Sequence, residues 1–290
     1  MNYQIKYLII LFSLFLVLVS CEKDIKTDIL VNEKLCFNCI LNPDSLINGS
    51  LNLSRSISVN KNFTQINNAI IELKKDGQLI GIMKNSGDGI YSLNQKPTSG
   101  GRYDIRIRAE GYSELNASTI VPSKPEVSYL LTNPVVHEPG YNSFTSYSIT
   151  KNISDKIGRN NYWHYRLRQS PTKIWRFVGG FYDVDSPIVD DFNRVTDATD
   201  ELGFHYDYYL RINDTEMDGK SLTFYGTSYQ NEINFFMDTD EHYDKYLKSS
   251  IKQMMNDDGS LLFNEPVQIY SNIENGLGIF GSAAITKIRL

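Results

Sequence analysis

The residue best placed for covalent chemistry in this sequence is Cys21. It closes Leu18-Val19-Ser20-Cys21, at the end of an uncharged run from Tyr7 to Val19 and directly before Glu22-Lys23-Asp24. An aliphatic residue, a small spacer and then cysteine is the pattern of a bacterial lipobox. There the sulfur is alkylated by a diacylglyceryl group, the chain is cut before the cysteine, and the freed amine takes a further acyl chain. One chain holds a membrane only marginally, at ~0.8 kcal/mol per buried methylene, whereas two or three hold it stably. The apolar run falls short of the roughly 20 residues that a helix needs to cross a ~30 Å hydrocarbon core, and has the length of a signal-peptide h-region. The sequence therefore predicts a lipoprotein signal peptide over 1–21, lipidation of Cys21, and a tether over 22–30.

Other motifs carry less chemistry than their letters offer. Cys36-Phe37-Asn38-Cys39 has the spacing of redox and zinc motifs, but it lies in an apolar, strand-like run over 34–41. On a strand, i and i+3 point to opposite faces about 10 Å apart, beyond the ~7 Å that a disulfide spans. With only three cysteines in the chain, no second pair completes a zinc site. One buried and one half-buried thiol are expected.

Gly276-x-Gly278-x-x-Gly281 matches the dinucleotide fingerprint, yet that motif needs a following helix and residues 282–290 read as a strand. These glycines are expected to allow a close backbone approach or a bend. Asp183, Asp185, Asp190 and Asp191 could gather a calcium ion, but they lack the register of a calcium loop and read as a solvated acidic stretch. His137, His164, His205 and His242 are scattered, and His164 reads as a sheet-surface residue. No Gly-x-Ser-x-Gly, Ser-x-x-Lys or His-Glu-x-x-His occurs. No catalytic residue, metal or cofactor is assigned, and the chain is read as a non-enzyme.

Aromatic composition carries more. Tyr (19) and Phe (14) far outnumber Trp (2), a diet typical of exported β-proteins. Trp163, Trp175, Phe181, Tyr182, Tyr206, Tyr208 and Tyr209 lie in or beside a polar stretch over 170–204 with no clear period. Such aromatics form stacking platforms for sugars or peptides, or anchors for a partner protein. Alternation also allows Trp163 and Tyr209 a place in a core. Trp163, Trp175, Phe181, Tyr182, Tyr206 and Tyr208 are the candidate contacts for a ligand or partner.

These groups need a scaffold, and the pattern supplies one. A chain of 290 residues, 41% apolar and 22% charged, is globular; a net charge of −5 without a basic stripe excludes a nucleic-acid binder. Over 31–122 the period is two, with turn signals such as Asp76-Gly77 and Asp88-Gly89 every 8–12 positions. About seven strands result, predicting an immunoglobulin-like or prealbumin-like antiparallel β-sandwich. Pro122-Ser123-Lys124-Pro125 marks a boundary. A second β-rich domain over 123–290 is expected, with strands near 127–131, 144–149, 162–168, 208–212, 221–225 and 232–237. A long ordered loop fills 170–204. Asp238-Thr239-Asp240-Glu241 reads as a capping box opening a helix over 240–256, with Tyr243, Tyr246, Leu247, Ile251 and Met254 on one face. Strands at 267–270 and 277–290 close the chain. The fold class is all-β with one late helix.

Taken as a set, these pieces resemble a known family. They are the lipobox at Cys21, the strand ending Asn42-Pro43-Asp44-Ser45, Asn161-Tyr162-Trp163, the helix with Tyr243 and Tyr246, and Tyr270-Ser271-Asn272-Ile273 with Gly276-Leu277-Gly278-Ile279-Phe280-Gly281. The set resembles a Bacteroidota outer-membrane lipoprotein family known as domain of unknown function 4249, over nearly the whole mature chain. Cys36-Phe37-Asn38-Cys39 departs from the Val-Val-x-Gly-like opening strand expected there. The resemblance implies anchorage in outer-membrane lipid and a gene beside a TonB-dependent β-barrel receptor. It implies an accessory role in ligand capture or docking, and it carries over no catalytic residue. Glu22-Lys23-Asp24 is similar to a short signal for the cell surface and equally to a plain tether. A surface adhesin or envelope module is the alternative role, and a hydrolase using Asp183, Asp185 or His164 a third.

Overall fold

Alternating side chains and tight turns fold most of the chain into sheet. The computed structural model describes residues 33–54, 64–137, 144–154, 162–168, 189–199, 205–213, 219, 221–229, 233–257 and 267–289. In chain order come β1 (Leu35–Leu41), β2 (Ile47–Leu53), β3 (Ile70–Lys75), β4 (Gln78–Gly87), β5 (Ile90–Leu93), β6 (Arg102–Arg108) and β7 (Leu115–Ile120). Next are β8 (Glu126–His137), β9 (Phe144–Ser154), β10 (Tyr162–Arg168), β11 (Val189–Thr199), β12 (His205–Asn213), β13 (Ser221–Tyr229) and β14 (Ile233–Thr239). One helix, α1 (Glu241–Asp257), precedes the last strand, β15 (Leu277–Arg289). The fold is all-β with one late helix, as the periodicity predicts.

A 12-stranded sheet runs β11-β12-β10-β14-β15-β1-β2-β5-β4-β3-β6-β7, and a three-stranded sheet runs β13-β9-β8. All the pairings are antiparallel except β1 with β15, where Phe37 stands opposite Gly278. Asp76-Gly77 makes the β3–β4 hairpin with both residues at positive φ, 49° and 81°, the geometry that matches strand twist.

The large sheet curls. Leu35, Phe37 and Leu51 of the middle strands β1 and β2 share a core with Ile71, Leu73, Ile105 and Ile107 of β3 and β6 near one end, and Phe280 of β15 enters the same cluster. Asn116 of β7 bridges back to Glu274, so the edge strand β7 returns to the segment just before β15 in the middle of the sheet. Two tyrosines buried there keep their hydroxyls bonded. Tyr91 accepts from Ala69 N and donates to Ile66 O, both at 2.9 Å, and Tyr103 accepts from Thr98 N at 2.9 Å. A second core joins Tyr243 and Leu247 of α1 to Phe235, Met237, Ile279, Ala283 and Ile285. Burying one such side chain is worth about 1.5–3 kcal/mol. Leu247 and Ile251 follow Tyr243 at i+4 and i+8, and all three are buried, as the helical period predicts. The 12-stranded sheet takes strands from both sides of Pro122–Pro125, β1–β7 before it and β10, β11, β12, β14 and β15 after it.

Three details differ from the sequence reading. First, part of the expected 170–204 loop is strand β11. Its pairing with β12 shifts register between Val189 and Asp191 and between Arg194 and Ala198. The first adds one residue and flips the alternation, and the second adds two, so no unbroken period of two runs through the segment. Second, residues 267–270 are no strand. Their amides go to helix side chains instead, Val267 N to Gln253 Oε1 and Tyr270 N to Ser249 Oγ, both 2.9 Å. Third, the helix cap is Asp240, whose Oδ1 accepts from Tyr243 N at 3.0 Å; Asp238 lies inside β14.

Candidate functional site

Of the six aromatic candidates the structure describes three, Trp163, Tyr206 and Tyr208. Cys21, Trp175, Phe181, Tyr182, Asp183 and Asp185 lie outside the described residues. Trp163 stands on β10 opposite Ile212 of β12 and Asp238 of β14. Tyr206 and Tyr208 are on β12, Tyr206 opposite Ala198 and Tyr208 opposite Leu167 and Arg194. Trp163 and Tyr208 are thus four residues apart along neighbouring strands, roughly 13 Å. Asp191 pairs with Arg211 in the β11–β12 register, within a strand rather than a loop. Among the described residues, no three His, Cys, Asp or Glu side chains gather as a metal would need.

The two thiols of β1 are free, Cys39 buried and Cys36 half-buried, as the strand reading predicts. Burial pushes the Cys39 thiol up to about 12 and raises Cys36 too, against an opposing contact from Asn38. Neither is set up as a thiolate nucleophile.

The glycine-rich stretch is a packing device. A Cβ on Gly278, at φ 102°, would meet Phe37 O at 2.1 Å, and one on Gly281 would meet the Tyr243 Cβ at 2.8 Å. Glycine lets β15 lie against β1 on one side and α1 on the other. Asn272 completes the seat: its Oδ1 accepts from Phe280 N at 3.0 Å and its Nδ2 donates to Phe280 O at 2.8 Å. Asp240 ties three elements together. Besides capping α1 it accepts from Ser282 N at 2.9 Å and from Thr119 Oγ1 at 2.9 Å. Burial raises its pKa, against the hydrogen bonds from Ser282, Tyr243 and Thr119 and the charge of His242. Arg211 of β12 grips Asp244 of α1 with two buried bonds of 2.7 and 2.8 Å. His242 Nδ1 meets the Tyr270 hydroxyl at 2.8 Å, clamping the 267–273 segment on the helix. These titratable groups hold elements together.

What the fold leaves open is surface. Ile149, Lys151 and Ile153 of β9 are buried, and Lys151 Nζ donates to Asn234 Oδ1 of β14, so one face of the small sheet packs on the large one. The other face faces water in three rows: Ser128–Asn152–Thr223, Leu130–Thr150–Tyr225 and Thr132–Ser148–Thr227. Leu130 and Tyr225 are each 61% exposed, and no residue of these rows is charged. Aromatic composition points to the 170–204 stretch and away from this face. The signal was present in the hydroxyl-rich alternation of 144–154 and 221–229. Strand β8 also forms an edge, with Val135 50% and Val136 61% exposed.

Comparison with known proteins gives a family and likeness to solved structures. The family model for the domain of unknown function DUF4249 matches residues 22–289, and the chain belongs to that family. No curated protein matches. The chain is similar to the crystal structure of a Corynebacterium diphtheriae protein conjectured to be membrane anchored. The likeness covers 72% of this chain and 54% of that one, at 11% identity and a TM-score of 0.22. The chain thus spans about half the length of that protein, 54%. Among the described residues, no helix is long and apolar enough to cross a membrane.

Proposed function

We propose that this DUF4249 protein is a lipid-anchored accessory subunit of the outer membrane. It faces the cell surface and partners a TonB-dependent β-barrel receptor in ligand capture or docking, without catalysis of its own. The observation that carries the anchor is positional. The family match begins at Glu22, the residue directly after the lipobox cysteine, and runs to residue 289. The domain therefore starts where cleavage before Cys21 would leave the mature chain. The partner rests on the resemblance of the Cys21 lipobox, Asn161-Tyr162-Trp163 and the 270–281 stretch. An exposed, strand-built surface and an apolar edge at β8 are what a docking subunit presents.

The chain tagged at its C-terminus and purified from detergent-solubilised outer membranes is expected to bring a TonB-dependent receptor in stoichiometric amount. Cys21→Ser should leave the membrane fraction. Recovery of the lipidated protein with no β-barrel beside it would sink the partner reading and favour a surface adhesin. The adhesin reading draws on the uncharged face of the small sheet. Deletion would then alter attachment and leave nutrient uptake intact.

A further inference from the structure

We infer that the open face of β8–β9–β13 is a binding platform for a neutral glycan, with Tyr225 as its stacking residue. This names the ligand class for the capture role proposed above and rests on that reading. The argument begins with charge. In a chain whose residues are 22% charged, three consecutive cross-strand rows carry none and the row beside them, Glu126–Ser154–Ser221, adds one acid, so these rows offer no positive charge to an anionic ligand. Within these three rows only Leu130 and Tyr225 break a surface of hydroxyls and amides, and the exposed Val135 and Val136 lie beyond them on β8.

What remains is an exposed phenol ring ringed by neutral donors and acceptors. Thr150 flanks Tyr225 across the strands, at about 4.8 Å, and Thr223 and Thr227 flank it along β13, at about 7 Å. Asn152 is oriented by Thr223, whose Oγ1 donates to its Oδ1 at 2.7 Å. That contact occupies the carbonyl end of the amide and leaves the Nδ2 hydrogens as donors. A sugar presents an apolar C–H face for the ring and a rim of hydroxyls at similar spacing for the threonines and the asparagine. An aromatic side chain with a few placed polar groups is the usual make-up of such a site. The platform is rigid because its reverse side is buried on the large sheet through Ile149, Lys151 and Ile153.

The test uses the full-length lipidated chain in a detergent without a sugar headgroup. Maltohexaose, cellohexaose, mannohexaose and xylohexaose are titrated by calorimetry, with oligogalacturonate as the charged control. At least one neutral oligosaccharide should bind saturably. Tyr225→Ala should weaken it at least tenfold, Tyr225→Phe should keep affinity within about threefold, and Thr150→Glu should abolish it. Unchanged circular dichroism and melting temperature show that the variants fold. Binding by none of the neutral sugars, preference for the galacturonate, or binding indifferent to Tyr225→Ala and Thr150→Glu would each overturn the proposal. A dimer that dissolves on Tyr225→Ala would overturn it too, assigning the face to a second copy of the chain. Receptor co-purification is scored separately. A receptor without sugar binding removes the glycan and leaves the accessory role, and sugar binding without a receptor does the reverse.

Discussion

Two antiparallel surfaces of this molecule lie open to water and are built in opposite ways. The outer face of β3–β6–β7 is laced with charge: Arg108 pairs with Glu72, Arg106 with Glu114 at 3.2 Å and Arg102 with Asp104 at 3.1 Å. The outer face of β8–β9–β13 has no charge in its three central rows. The first surface is satisfied within itself, each exposed pair contributing about 0–1 kcal/mol. The second has a single side-chain bond of its own, Thr223 to Asn152, among the described contacts of those rows. Edges differ as well. β7 is closed by Asn116–Glu274, whereas β8 and β13 end their sheet. A surface that answers its own charges repels association, and one that leaves neutral donors uncommitted invites it.

The largest effect is expected in the interior, at the buried pair that ties β12 to α1. Asp244→Ala strands the buried Arg211 and should cost about 3–5 kcal/mol in urea unfolding. The double variant Arg211→Met with Asp244→Leu should recover most of that loss. A single variant as stable as the parent would show that the pair carries no weight.

Gly278→Ala comes next, at about 3 kcal/mol, because its methyl group meets the Phe37 carbonyl and its φ is unfavourable to alanine. Hydrogen exchange should show β1, β2 and β5 losing protection before β9. Equal loss at β9 would mean that the two regions open as one unit and differ in surface chemistry alone.

Asp240 gives a pH test. Burial raises its folded pKa above the ordinary 3.8, so its contribution to stability is complete below that value and is lost as pH rises through the raised one. Asp240→Asn stays neutral and keeps Oδ1 for Tyr243 and Ser282. Its stability curve should lack that decline, and parallel curves for variant and parent would refute the assignment.

The smallest effect separates the faces directly. Glu72→Gln should cost about 0.2–1 kcal/mol, shrinking as salt is added. Thr227→Gln on the neutral face should change stability by under about 0.5 kcal/mol at any salt concentration.

Much of the scaffold was legible because local rules agree with the fold. Asp76-Gly77 specified a hairpin, Tyr243-Leu247-Ile251 specified one face of a helix, and the Cys36/Cys39 alternation specified one buried thiol. β11 was hidden by two register shifts that interrupt its pairing with β12. The 267–270 strap was hidden because Gln253 and Ser249, distant in sequence, supply its partners. The open face escaped for a different reason. Its rows combine β8, β9 and β13, and a search for aromatic clusters along the chain passes over one exposed Tyr225 among threonines.

The parallel seat of β15 on β1 has a consequence in time. Ile279 N reaches Asn38 Oδ1 across 241 residues of sequence, at 3.2 Å. A ribosome delivers β1 first and β15 last, so the core around Phe37 lacks Phe280 until the final strand emerges. Contacts this distant in sequence form slowly. The opening strands therefore remain incomplete, and the chain stays open to being threaded elsewhere, until synthesis has ended.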